Sequence, residues 1–278
     1  MTARVLRFGH SPDADDAFLF HGFSSGAVRI DGWDVVPVLE PIESLNRRAL
    51  RGELEITAMS VHALAHAGSR YDVLPAGASV GRGYGPVVVS ARPVGPDYLR
   101  GRRIALPGPM TTATLVARLC LPPFDELQID FDRAFDAVER GEADAAVVIH
   151  EGQVAWAERG LFRVCDLGDL WRADTGLPLP LGVDAVRADL DEDLKKRIAR
   201  AVRASVEHAL ANADEAIDAA LRHARGLDRD KARRFVGMYV NEDTVRMPAD
   251  VREAIGLLLR RAAEAGLAPS AAPPRFVE

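Results

Sequence analysis

The sequence predicts an α/β protein in which two lobes face each other across a central cleft, followed by a helical C-terminal segment. Three observations predict it. Short apolar runs alternate with segments of three- and four-residue apolar spacing over the first two thirds of the 278 residues, the signature of βαβ units and mainly parallel sheets. A helix–glycine–acid–strand join occurs twice, as Arg51-Gly52-Glu53-Leu54-Glu55 before Ile56 and as Arg140-Gly141-Glu142-Ala143-Asp144 before Ala145. Two extended segments stand where a chain would leave one lobe and return to it.

In order, strands are expected at 5–8, 33–39, 55–59, 73–76, 86–91, 103–106, 145–149 and 162–166. Pro86-Val87-Val88-Val89 is apolar without alternation, as in a strand covered on both faces. The strand 86–91, closed by Arg92-Pro93, carries the chain out of the first lobe. Leu177-Pro178-Leu179-Pro180-Leu181-Gly182 brings it back, because prolines alternating with leucine exclude a helix and suit an extended crossover. A returning strand follows at 183–187. The expected division is residues 1–91 with 183–278 in one lobe and 92–182 in the other, the two crossovers forming a hinge. Three helical stripes come after: Leu194, Ile198, Val202 and Val206; Ile217, Ala220, Leu221 and Ala224; Val251, Ile255, Leu258, Leu259 and Ala262. Asp193, Asp214 and Asp250 sit near their starts, where a carboxylate meets the positive end of the helix dipole. Pro248 and Gly266 bound the last helix, and the tail 270–274 is expected to be extended.

Composition narrows the function classes. Lysine and arginine number 35 against 41 aspartate and glutamate, a formal charge of −6 with no basic block, which disfavours a general nucleic-acid binder. Cys120 and Cys165 match no metal or CxxC spacing and fit small buried hydrophobes in a reducing compartment. The opening Met1-Thr2-Ala3-Arg4-Val5-Leu6-Arg7-Phe8-Gly9 holds no signal-peptide core, and no stretch approaches the ~18 apolar residues of a membrane helix. A cytoplasmic protein without membrane contact is expected.

In open parallel sheets ligands bind outside the C-terminal ends of the strands, so the residues that follow each strand carry the chemistry. Ser11-Pro12-Asp13-Ala14-Asp15-Asp16-Ala17-Phe18 follows the first. Its acids suit the first turn of a helix; crowded at a cleft they also repel one another, so that one carboxyl titrates high or meets a ligand donor. No His or further acid stands nearby at ligand spacing, and no metal is expected. Gly81-Arg82-Gly83-Tyr84-Gly85-Pro86 precedes a strand instead of opening a helix, so it is not the dinucleotide fingerprint; its glycines turn the chain or admit a ligand closely. Pro107-Gly108-Pro109-Met110-Thr111-Thr112-Ala113 ends a strand and opens a helix. A threonine N-cap and a carboxylate seat of free N–H groups and two hydroxyls account for it equally. Ser60 and His62 follow one buried strand, His150 and Glu151 another. An imidazole titrates near neutrality, which makes His150, emerging from Ala145-Ala146-Val147-Val148-Ile149, a candidate general base as well as an ordinary polar strand end. His62 and His66 lack the glutamate of a zincin pattern and fit plain polar positions. No Ser or Cys motif marks a nucleophilic triad.

Several of these motifs occur in one order from 8 to about 241: Ser11-Pro12-x-x-x-Asp16-x-Phe18, Glu43-x-Leu45-Asn46, Gly81-Arg82-Gly83-x-Gly85-Pro86, Pro107-Gly108-x-x-Thr111-Thr112, Ile149-His150-Glu151 and Thr175-Gly176-Leu177-Pro178-Leu179-Pro180-Leu181-Gly182. Together they resemble the 1,4-dihydroxy-6-naphthoate synthase family of the futalosine route to menaquinone. The resemblance implies a type II periplasmic-binding-protein fold. It also implies cleavage of cyclic dehypoxanthinyl futalosine to 1,4-dihydroxy-6-naphthoate and a small sugar-derived fragment, with no cofactor. It places the proton-abstracting base at His150 and substrate contacts at Ala58, Met59, Ser60, Thr111 and Thr112, with Ser11, Asp16, Asn46 and Gly83 as further binding positions. The implied partner is a small-molecule substrate, the chain being a monomer or homodimer. Where the family turn often reads Ser-Pro-Cys-Pro-Asn-Asp-Thr-Phe, Asp15 here replaces the Asn and Ala17 the Thr; a lysine that occurs at the Ala58 position in the family is absent. Two other readings share the fold: a chorismate dehydratase-like enzyme of the same pathway, for which Ile-His-Glu is not the hallmark, and a non-catalytic binder of an aromatic acid, for which an export signal or lipoprotein cysteine is expected.

Overall fold

Two mixed β-sheets with helices on their faces build the two lobes of the computed structural model, which describes residues 4–222, 228–269 and 273–278. The strands are β1 (Arg4–His10), β2 (Trp33–Leu39), β3 (Ile56–Ser60), β4 (Tyr71–Val73), β5 (Ser79–Gly81), β6 (Val87–Ser90), β7 (Arg103–Leu106), β8 (Asp125–Gln128), β9 (Ala145–Val148), β10 (Phe162–Asp166) and β11 (Leu179–Arg187). The first sheet runs β2-β1-β3-β11-β4 with β5 also on β11; the second runs β10-β6-β9-β7-β8.

The expectation of mainly parallel sheets needs correction. β1 pairs in parallel with β2 and β3, and β7 with β8 and β9, but β6 and β11 run antiparallel to each of their neighbours. These two strands enter their sheets from the cleft side and run outward, whereas β3 and β9 run toward it: Gly182 at the cleft end of β11 faces Ser60, and Val87 at the start of β6 faces Val148. The unbroken apolar sequence of β6 reports burial on both faces, which all four of its residues show, and not strand direction.

The leucine–proline segment is likewise part of β11 instead of a free crossover. Its register against β5 shifts between Pro180 and Gly182, a break that lets the sheet tolerate a residue without an N–H. The chain therefore changes sheet before Val87 and again before Leu179, ahead of the expected 91/92 and 182/183 divisions. β4 lies at Tyr71–Val73 and not at 73–76, because Pro75 cannot continue the ladder. β5 and β8 were not expected; both are short, and Asp-Glu-Leu-Gln of β8 is a mostly exposed edge without alternation.

The expected helices appear at Glu192–Ala211, Ala213–Ala220 and Ala249–Glu264, and Arg229–Tyr239 adds one that the apolar stripes did not mark. Residues 1–3, Ala224 and the first part of the 270–274 tail lie outside the described residues. Val251, Ile255, Leu258, Leu259 and Ala262 close a core that also takes in Met59, Val73 and Val183 of the first sheet and Val88, Ile104 and Val147 of the second. The lobes are thus welded by apolar packing on one side and open to each other on the other. Among the described residues no helix is long and apolar enough to cross a membrane.

Candidate active site

Four strands deliver their C-terminal ends to the cleft: β1 into the turn at Ser11, β3 at Ser60, β7 into the turn before Thr111, and β9 into Ile149 and His150. Between the lobes lies a cavity with about 670 Å³ of non-atom space, part of it open to solvent. Asp15, Asp16, Ala58, Met59 and Ser60 line it from the first lobe, Thr111, Thr112, Ala113, Ile149, His150 and Gln153 from the second, and Phe235 and Tyr239 from the helix Arg229–Tyr239. No lysine or arginine among the described residues lines it.

Hydrogen bonds draw the lobes together around this space. The Tyr239 hydroxyl donates to Gln153 Oε1 at 2.5 Å, the Ala14 N–H to Glu151 Oε1 at 3.1 Å and the Met110 N–H to Glu43 Oε2 at 3.0 Å. Gly108, at a φ of 115°, permits the last of these, since a Cβ there would stand 2.7 Å from Glu43 Oε2.

His150 is the single non-glycine residue with positive φ among the described residues, at 51°, a left-handed step that ends β9 and turns the side chain aside from the strand direction. Its Nδ1 lies 3.1 Å from Asp13 Oδ2, which also accepts the Ser11 hydroxyl at 2.6 Å. The Phe131 ring meets the imidazole edge-on with centroids 4.9 Å apart. A carboxylate only accepts, so the nitrogen facing it is the donor, and in the neutral imidazole that tautomer leaves the Nε2 lone pair free. Nε2 is buried and has no hydrogen-bond partner. Asp13 thus orients the imidazole, a role that spacing alone did not assign.

The crowding foreseen in the 13–16 turn has its expected electrostatic effect. Burial, reinforced by Asp16, Asp13 and Glu151, pushes Asp15 well above the usual carboxylate range. Burial also raises Asp16, against the pull of His10 and the Ser11 amide. Glu151 is raised by burial and then by Asp13, and Asp184 of β11 by burial and then by Asp16. Among the described residues no group of three or more His, Cys, Asp or Glu is arranged to hold a metal ion.

Of the two readings of the threonine pair, the N-cap is the one observed. Thr111 is the N-cap of the helix Thr112–Cys120: its Oγ1 accepts the Thr114 N–H at 3.2 Å and donates to the Gly108 carbonyl at 2.9 Å. Thr112 Oγ1 accepts the His62 N–H at 3.3 Å and donates to the Leu181 carbonyl at 2.6 Å. Both hydroxyls are committed within the protein. What remains for an anion is the pair of first-turn N–H groups of Thr112 and Ala113, at the positive end of the helix dipole. Thr111→Val removes the cap and is expected to lower the unfolding free energy by about 1 kcal/mol, measured by urea denaturation followed by circular dichroism.

Of the remaining binding positions expected from sequence, Asp16, Ala58, Met59 and Ser60 line the cavity, whereas Ser11, Asn46 and Gly83 do not. Ser11 serves Asp13. Asn46 stands behind the wall and fixes the end of β3, its Oδ1 accepting the Ser60 N–H at 2.8 Å and its Nδ2 donating to Ser60 Oγ at 3.0 Å. Gly83 packs on Arg172, and its neighbour Arg82 forks across Asp243 and Asp250, so the glycine-rich loop ties the first lobe to the C-terminal helices. His62 and His66 each set Nε2 3.2 Å from the Leu267 carbonyl, a structural use. Burial pushes the Cys120 and Cys165 thiols up to about 11 and about 12, which keeps them protonated; both are half-buried, short of full burial. Sequence reasoning passes over Gln153, Phe235 and Tyr239, which carry no motif and reach the cavity only through the fold.

Known proteins resemble this chain over nearly its whole length. The profile of a family described as menaquinone biosynthesis matches residues 6–264. A 1,4-dihydroxy-6-naphthoate synthase of Thermus thermophilus is 39% identical over 273 residues, spanning 98% of this chain and 99% of its own. A crystal structure of an Archaeoglobus fulgidus protein superposes with a TM-score of 0.91 at 44% identity, covering 96% of this chain and 100% of that one. An alkanesulfonate-binding protein of Xanthomonas axonopodis, at 14% identity, reaches a TM-score of 0.74 over 98% of this chain and 97% of its own, a likeness of fold alone. The two sheets around a cleft are those of periplasmic binding proteins, and the chain belongs to the menaquinone biosynthesis family.

Proposed function

We propose that the protein is a 1,4-dihydroxy-6-naphthoate synthase, a lyase that cleaves cyclic dehypoxanthinyl futalosine to 1,4-dihydroxy-6-naphthoate and a small sugar-derived fragment, with His150 as general base. The reading rests above all on one observation: a buried Nε2 without a partner, its ring aligned by Asp13, on the wall of an interlobe cavity. Near full-length similarity to a synthase of that name supports the substrate.

The geometry fits the chemistry. Met59, Ile149, Leu181 and Phe235 give the cavity apolar walls for a fused ring system. The ring carboxylate takes the N–H groups of Thr112 and Ala113, since no lysine or arginine among the described residues lines the cavity. Nε2 accepts a proton from the substrate skeleton; the electron pair left behind forms a new double bond in the sugar-derived part as its bond to the ring breaks, the broken bond's pair passes into the ring oxygens, and the imidazolium returns the proton there. Aromatisation of the naphthalene ring makes departure favourable. Asp13 stabilises the imidazolium that forms. Contacts between the lobes keep water from the intermediates. The reaction is read as cytoplasmic, on a small molecule, by a monomer or homodimer.

Incubating the purified protein with cyclic dehypoxanthinyl futalosine is expected to convert it to 1,4-dihydroxy-6-naphthoate, measured by anaerobic chromatography. Unchanged substrate with retention of an aromatic acid would indicate a non-catalytic binder; dehydration of chorismate would indicate the sister enzyme of the pathway.

A further inference from the structure

We propose that Asp15 is a substrate-binding residue that donates its carboxyl O–H to an oxygen of the ligand, a ring carbonyl or hydroxyl oxygen opposite the base. The proposal rests on the cavity being the substrate site of the synthase reaction. Its ground is the distribution of donors among four neighbouring acids. Asp13 accepts the Ser11 hydroxyl and faces the His150 imidazole. Asp16 accepts the Ser11 N–H at 2.8 Å, and Glu151 accepts the Ala14 N–H at 3.1 Å. Asp15 Oδ1 is buried with no partner, on a residue only 8% exposed that lines the cavity.

Four carboxyls cannot all ionise here. The titratable groups facing the cluster are Asp13 and Asp16 on its own turn, His150 and Glu151 after β9, Tyr239 from the helix Arg229–Tyr239, and, around Asp16, His10 of β1 and Asp184 of β11. None is a lysine or arginine. The acid that gains least from ionising is the one with the poorest donors, and for Asp15 burial and three like charges outweigh the hydrogen bond from the Asp16 amide. A proton therefore stays on Asp15, and a buried carboxylic acid with nothing to donate to inside the protein has its O–H free for a ligand. Occupied by substrate oxygen, the orphaned group becomes satisfied.

The test compares wild type with Asp15→Asn and Asp15→Leu. Asparagine keeps shape and an N–H donor without titrating; leucine removes the donor. Calorimetric titration with 1,4-dihydroxy-6-naphthoate under anaerobic conditions is expected to give an Asn variant within about threefold of wild-type affinity and a Leu variant weakened about tenfold. KM for cyclic dehypoxanthinyl futalosine is expected to follow the same order. A second readout needs no ligand. The folded state holds the Asp15 proton above pH 4 while the unfolded chain releases it, so this residue lowers stability as pH rises. The urea midpoint of the Asn variant is therefore expected to climb relative to wild type from pH 5 to pH 8. A Leu variant that binds like wild type, an Asn variant as weak as Leu, or a midpoint difference flat with pH would each overturn the proposal. If wild type neither turns over substrate nor binds the naphthoate, the synthase reading fails and the substrate contact with it, while the midpoint comparison still decides where the proton sits.

Discussion

Replacing His150 by alanine is expected to lower kcat by about 10²–10⁴-fold, the usual contribution of a positioned general base, while the dissociation constant for the naphthoate product changes by less than about threefold. The split follows from the geometry. Nε2 has no partner in the protein; on the other side of the ring Asp13 loses its contact with Nδ1 and keeps the Ser11 hydroxyl. The apolar walls and the N–H pair at Thr112 and Ala113 do not depend on it. Because the backbone at 150 is left-handed, alanine also meets local strain; His150→Asn, a residue that tolerates that conformation, separates loss of the base from loss of the turn. Both variants are expected to bind product and neither to turn over at more than a small fraction of the wild-type rate, measured by steady-state kinetics with calorimetric titration. Full activity in the Asn variant would remove the imidazole from the mechanism.

The second large effect lies outside the cavity lining. Lys195→Ala is expected to destabilise the fold by about 3–5 kcal/mol, because it leaves a buried carboxylate without its main counter-charge. The Lys195 side chain is fully buried, and its Nζ lies 2.7 Å from Asp72 Oδ2, with the Ala188 carbonyl accepting at 3.3 Å. Asp72 belongs to β4, whose other edge takes the C-terminal tail: the Val73 N–H donates to the Arg275 carbonyl at 2.8 Å and the Val277 N–H to the Val73 carbonyl at 2.9 Å. Arg275 reaches Asp72 Oδ1 at only 3.4 Å from an exposed position, a weak substitute. Urea denaturation at pH 7 checks the loss. A double variant, Lys195→Met with Asp72→Leu, is expected to recover much of it, since removing both charges removes the unpaired one.

Much of this molecule was legible in its residues. β2, β7 and β10 stand at their expected bounds. The strand-end rule led to His150, Ser60 and the threonine turn, all of which meet at one cavity. Strand direction was not legible, since burial on both faces produces the same apolar run in β6 whichever way it points. The distinct roles of Asp13, Asp15 and Asp16 were also hidden. Three aspartates within four residues are chemically alike until the fold gives one an imidazole, one the Ser11 amide, and leaves an oxygen of the third without a partner. Thr111 lines the cavity while its hydroxyl caps the helix start, two uses that the sequence reading weighed equally.

The backbone angle at residue 150 has a consequence for anyone engineering this protein. Glycine adopts that conformation freely, whereas most side chains there cost about 1–2 kcal/mol. A library sorted by yield or heat resistance alone is drawn toward glycine at this site, improving everything such a screen records while discarding the catalyst.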